Sequence, residues 1–142
     1  MMSQVTECMP TAVPVKRHRI SIPKYSLGEE LISSISHGVG ALLSLAGLIL
    51  CIVRSVMHGT PFGVTSSIVY GLSLIILYTM SCIYHALKPN QAKRVFRVID
   101  HCSVFLLIAG TYTPFTLVTL HGSTGWLLFS VIWGAAIIGM IL

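Results

Sequence analysis

Charge is what this sequence has least of. Only 9% of its 142 residues are charged, and the acidic ones include a single Asp, Asp100. A soluble globular domain carries roughly 25% charged residues, so this composition excludes one. Cysteine is also sparse and unpatterned. Cys8, Cys51, Cys82 and Cys102 show no CxxC spacing, which argues against a disulfide framework. No apolar run precedes the polar first thirty residues, so there is no sign of a cleavable secretory peptide.

What is present instead is apolar length. Hydrophobic residues make up 54% of the chain and the mean hydropathy is +0.85. Runs at about 31–53, 62–87, 98–120 and 126–142 approach or exceed the ~18–20 residues that cross a bilayer. The expected fold is all-α, a multi-pass transmembrane helical bundle in a lipid bilayer. Residues 1–24 read as a polar, basic cytoplasmic tail and 25–142 as the membrane domain. The last run reaches Leu142 without the polar flank that the others have, which predicts a chain truncated at its C-terminus.

The net charge of +5 invites a nucleic-acid reading, but the positions of the basic residues oppose it. Lys16, Arg17, Arg19 and Lys24 sit in the tail, and Lys88, Lys93, Arg94 and Arg97 in the second connection. The first connection holds only Arg54. Basic residues collected on alternate connections follow the positive-inside rule. They put the tail and the second connection in the cytoplasm, with no nucleic-acid partner.

Polar residues inside the runs fall on faces. Glu30, Ser33, His37, Gly40, Ser44, Gly47 and Cys51 are spaced by threes and fours, one stripe on a helix. Small residues in such a stripe serve close helix packing. Ser67, Gly71, Tyr78, Ser81 and His85 make a second stripe, and Pro114 is expected to kink the third helix. A turn is expected over 121–125.

The orientation brings Glu30, His37, His85 and Asp100 to the cytoplasmic ends of three helices. Ionisable groups within membrane spans mark function by default. Ser81 and His85, four residues apart, share a face, and Asp100 enters the next span. A neutral imidazole and a carboxylate suit zinc. Asp100 can equally orient a ligand from outside the metal's own shell or take a proton from water. The plainer alternative is that His85 is a hydrogen-bonding or snorkelling residue at the interface. Glu30 and His37 can pair with one another or face a cavity.

Several blocks then carry a resemblance. Tyr25-Ser26-Leu27-Gly28-Glu29-Glu30, Ser36-His37-Gly38, Ser81-Cys82-Ile83-Tyr84-His85, Ile99-Asp100-His101-Cys102-Ser103 and Gly110-Thr111-Tyr112-Thr113-Pro114-Phe115 resemble the hemolysin III family. Its wider superfamily includes the progestin and adiponectin receptors. The resemblance implies a seven-helix plasma-membrane fold with a zinc site near the cytoplasmic face. It implies that His85 is a zinc ligand, that Asp100 partners the water or acts as base, and that Ser81 belongs to the same motif. Two further zinc histidines are implied in a seventh helix, beyond the four runs here, so the zinc site expected in this chain is incomplete. The implied activities are hydrolysis of an amide in a lipid substrate, or a pore-forming, cytolytic action. A receptor-like scaffold without chemistry is the third expectation.

Overall fold

The computed structural model describes residues 25–142 except His121, and only the backbone of His58. The expected cytoplasmic tail, residues 1–24, lies outside the described residues. Four long helices follow one another: α1 (Leu27–His58), α2 (Pro61–Ala86), α3 (Gln91–Pro114) and α4 (Gly122–Ile141). All four are long and apolar enough to cross a membrane. The all-α, multi-pass architecture expected from the apolar runs is the one observed.

Each start has a local cause. Ser26 caps α1 in a capping box: its Oγ accepts from the Glu29 amide, and its own amide donates to Glu29 Oε2 at 2.8 Å. Such a box satisfies two otherwise orphaned donors. Thr60 caps α2 and Pro61 occupies its first turn, where a missing N–H loses nothing. Asn90 caps α3, with its Oδ1 accepting from the Lys93 amide at 2.8 Å.

That last cap changes one expectation. The basic stretch Lys88–Arg97 reads as a connection in the sequence, yet it is helical from Gln91 onward. Gln, Ala, Lys and Arg are all good helix formers, and Asn90 supplies the start. The connection shrinks to 87–90, and Asp100 lies about two and a half turns into α3 rather than at its entry. A similar shift occurs at 121–125. Gly122 adopts φ +69°, and α4 begins there instead of after Gly125.

Backbone proximity runs in chain order: α1 packs on α2, α2 on α3 and α3 on α4. What lies inside is small and hydroxylated. Ser44, Ser66, Ser73, Ser81, Ser103, Thr113 and Thr116 are buried, while Leu31, Leu42, Leu50, Val131 and Ile138 are exposed. In water this would be inside out. In lipid, apolar side chains gain little by turning inward, and small interior residues let the backbones approach. At Gly71 an added Cβ would come within 2.8 Å of Leu48 Cβ, and at Gly110 within 2.8 Å of Ser73 Cβ.

The buried hydroxyls are mostly satisfied within their own helix. Ser44 donates to the Gly40 carbonyl at 2.7 Å, and Thr113 to that of Ala109 at 2.8 Å. Hydroxyl bonds to the preceding turn are the usual solution for Ser and Thr inside a helix.

Pro114 ends α3 without turning the chain away. Phe115–Thr119 continues as a π-helical turn, closed by the Leu120 amide donating to the Phe115 carbonyl at 3.1 Å. A proline lacks the N–H that the carbonyl four residues back would use, and the wider turn accommodates this register change. Gly125 packs directly under the Thr116 carbonyl, where any side chain would be in the way.

Candidate functional site

The polar groups singled out in the sequence meet where α2 ends and α1 and α3 begin. His85 is the penultimate residue of α2. His37 of α1 stacks beside it, ring centroids 5.9 Å apart and planes 22° from parallel. Tyr84 meets the His85 ring edge-on at 4.8 Å, and Tyr25 lies tilted at 6.0 Å. On its other side His37 contacts Tyr78 at 5.9 Å. The two histidines are therefore held in an aromatic cage that sets their ring planes.

Their nitrogens differ. His37 Nδ1 lies 2.6 Å from the Ser33 carbonyl. A carbonyl only accepts, so Nδ1 carries the proton and Nε2 of the neutral ring keeps its lone pair. This is the arrangement by which a backbone carbonyl fixes the tautomer of a ligating imidazole. His85 is the reverse case. Its Nδ1 is buried and has no hydrogen-bond partner among the described residues. A buried polar atom left unpaired is costly, and most such atoms in proteins do find a partner.

Glu30 does not pair with His37. It forms an ion pair with Lys93 of α3, whose side chain is fully buried. The Lys93 ammonium also sits over the Tyr84 ring, 5.3 Å from its centroid, within cation–π range. Lys93 thus ties the start of α1 to the start of α3 and packs against the residue next to His85.

Asp100 is half-buried on α3 and lies within electrostatic range of the His85 imidazole, as do Glu30 and Lys93. The Asp100 backbone carbonyl accepts from Ser103 Oγ at 2.6 Å. Ser81 is buried on the His85 face, one turn below. Its hydroxyl makes no bond to His85 Nδ1. His101 and Cys102 turn elsewhere. His101 is exposed and its Nδ1 donates to the Arg97 carbonyl at 2.8 Å, while Cys102 Sγ reaches the Met140 carbonyl of α4.

The structure therefore brings His37, His85, Asp100, Glu30 and Ser81 to one end of the helices. It adds Lys93, Tyr84 and Tyr25, which the sequence did not single out for the site, and Tyr78 of the second stripe. Among the described residues no three His, Cys, Asp or Glu side chains converge as a metal-binding group. The unpartnered His85 nitrogen and the fixed His37 tautomer nevertheless suit a metal as partial donors. Aromatic and hydroxyl groups surround them.

Comparison with known proteins gives a consistent picture. The model of the family "Haemolysin-III related" matches residues 25–142. Hemolysin-3 of Bacillus cereus is 44% identical over 113 residues, which cover 80% of this chain and 52% of that protein. The Hemolysin-3 homolog of Bacillus subtilis (strain 168) is 34% identical over 117 residues, 82% of this chain and 55% of that protein. The chain spans about half the length of these curated relatives. No solved structure matches.

Proposed function

Because the chain belongs to the haemolysin-III related family, we propose that the complete fold is a plasma-membrane hydrolase holding zinc at the cytoplasmic ends of its helices and cleaving an amide in a lipid substrate. One observation carries this reading: His85 Nδ1 is buried without a partner, inside a cage of His37, Tyr84 and Tyr25. A bound ligand at that nitrogen resolves an otherwise unexplained cost. Catalytic zinc takes three protein ligands, so His85 supplies one and the remainder of the complete protein the others.

Zinc, when bound, polarises a carbonyl and makes a neighbouring water more acidic. The rest falls to this chain's own side chains. Asp100 accepts the proton of the attacking water and returns it to the leaving amine. Ser81, one turn below His85 on the same face, donates a hydrogen bond to the substrate or to that water. The ion pair with Lys93 removes Glu30 from this work and makes it a structural anchor. The exposed apolar faces of α1 and α2 let a lipid approach from within the bilayer.

The orientation proposed for the membrane places the N-terminus in the cytoplasm. Lys88 and Arg94 support it, while Lys93 counts for less because its charge is consumed inside the fold. The names of the relatives favour a second reading, a pore-forming or cytolytic action. The test is turnover of a lipid amide by the complete protein. Asp100→Asn should abolish hydrolysis while zinc content is kept. Dye release from liposomes that survives Asp100→Asn, with no hydrolysis in the parent, would instead establish the pore reading.

A further inference from the structure

A second polar cluster lies at the opposite end of the helices from His85. The end of α1, the start of α2 and the Pro114 end of α3 line an open pocket of about 420 Å³. Into it comes Ser66, 1% exposed, whose Oγ has no hydrogen-bond partner among the described residues. Of the other hydroxyls lining the pocket, three are already committed as donors, and Thr119 on the exposed rim is not. Ser67 donates to the Gly63 carbonyl at 2.8 Å, so in the 3.0 Å contact between Ser55 and Ser67 it is Ser55 that donates. Thr111 donates to the Leu107 carbonyl at 2.8 Å. Each of these oxygens retains lone pairs, whereas Ser66 retains its proton.

This inventory specifies a ligand. It accepts from Ser66, and a group that also donates gains bonds to oxygens such as those of Ser55 and Thr111. A carboxylate has nothing to donate and an ammonium cannot accept, but a hydroxyl does both. Among the described residues none of the side chains lining the pocket is charged, so a formally charged head would find no opposite charge there. One side of the rim is apolar: Phe115 is 49% exposed, and Val118 lies beside it on the π-helical turn. Such turns inside helices recur at functional sites, and this one presents both residues to the pocket.

We propose that this pocket binds an uncharged, hydroxyl-bearing amphiphile, its head hydrogen-bonded to Ser66 and its tail lying along Phe115 and Val118. The site is separate from the His85 cluster and does not depend on hydrolysis.

The test uses the 142-residue chain in phosphatidylcholine nanodiscs with a monoacylglycerol bearing a photoactivatable group in its acyl chain. Labelling should concentrate on the peptide containing Phe115 and Val118. Unlabelled monooleoylglycerol should compete it away, and oleate or free glycerol should not. Ser66→Ala should reduce labelling about fivefold, the effect of one hydrogen bond. Ser73→Ala, which removes a buried hydroxyl bonded to the Tyr70 carbonyl, should leave it unchanged. Labelling spread evenly over the helices would overturn the proposal. So would labelling indifferent to Ser66 in a folded variant, or competed equally by oleate. If Ser66→Ala does not fold, the wild-type competition series decides alone. Competition by free glycerol at the same concentrations would show that the tail plays no part and would also overturn it.

Discussion

Lys93 and Glu30 form a buried ion pair between the first turn of α3 and the first turn of α1. The two helices otherwise have no close backbone contact among the described residues. This pair joins them at the end of the structure where His85 lies. Removing Glu30 leaves the fully buried Lys93 charge unpaired, which costs about 3–5 kcal/mol, and removing Lys93 leaves the partly exposed Glu30 carboxylate unpaired at a smaller cost. Glu30→Gln should lower thermal stability in detergent markedly, and Lys93→Met to a smaller extent. The double variant Glu30→Met/Lys93→Met should recover most of the loss, and additive losses would show that the pair is not coupled.

Asn90 sets where α3 begins and so where Lys93 stands. Asn90→Ala removes the side-chain oxygen that accepts from the Lys93 amide, a change worth about 1 kcal/mol at a helix start. The expected result is a modest drop in melting temperature. Faster hydrogen exchange should be confined to 91–95. Exchange unchanged there would mean that the cap does not define this end.

Trp133 donates from Nε1 to Thr113 Oγ1 at 3.2 Å, joining α4 to α3. Thr113→Val keeps the shape and deletes the acceptor, costing about 1 kcal/mol. With Trp126→Phe as background, Trp133 is the remaining tryptophan. Its emission should shift when Thr113 is changed, and an unaltered spectrum would contradict the contact.

Close packing of α1 on α2 rests on Gly71 against Leu48. Gly71→Ala should destabilise by about 1–3 kcal/mol, the usual range for overpacking. Leu48→Ala in the same chain should restore part of it, because the added methyl then has room. Melting curves of the two single variants and the double measure that coupling directly.

Much of this arrangement is legible in the sequence because a bilayer imposes simple demands. The apolar runs must be long, and the small residues must gather on one face. Gly40, Ser44 and Gly71 accordingly fall where α1 and α2 approach. His85, His37 and Asp100 are visible because any ionisable group in such runs stands out. Lys93 is invisible for the complementary reason. Beside Arg94 and Arg97 it looks like one more headgroup-facing charge, and only the folded chain brings it to Glu30. The start of α3 had a readable signal in Asn90 followed by good helix formers, overshadowed there by the basic character of the stretch. The π-helical turn had none. Pro114 announces a disturbance, but its form depends on Thr116 and on Gly125, which arrives from the next helix.

The proposed hydrolase requires the unpartnered nitrogen of His85 to belong to a metal centre. The most direct measurement is zinc content by elemental analysis of the complete protein, purified in detergent without chelator, for the parent and for His85→Ala. Stoichiometric zinc is expected in the parent and its loss in the variant, with the helical content of both alike. Stoichiometric zinc retained without His85, or no zinc in a folded parent, would contradict it.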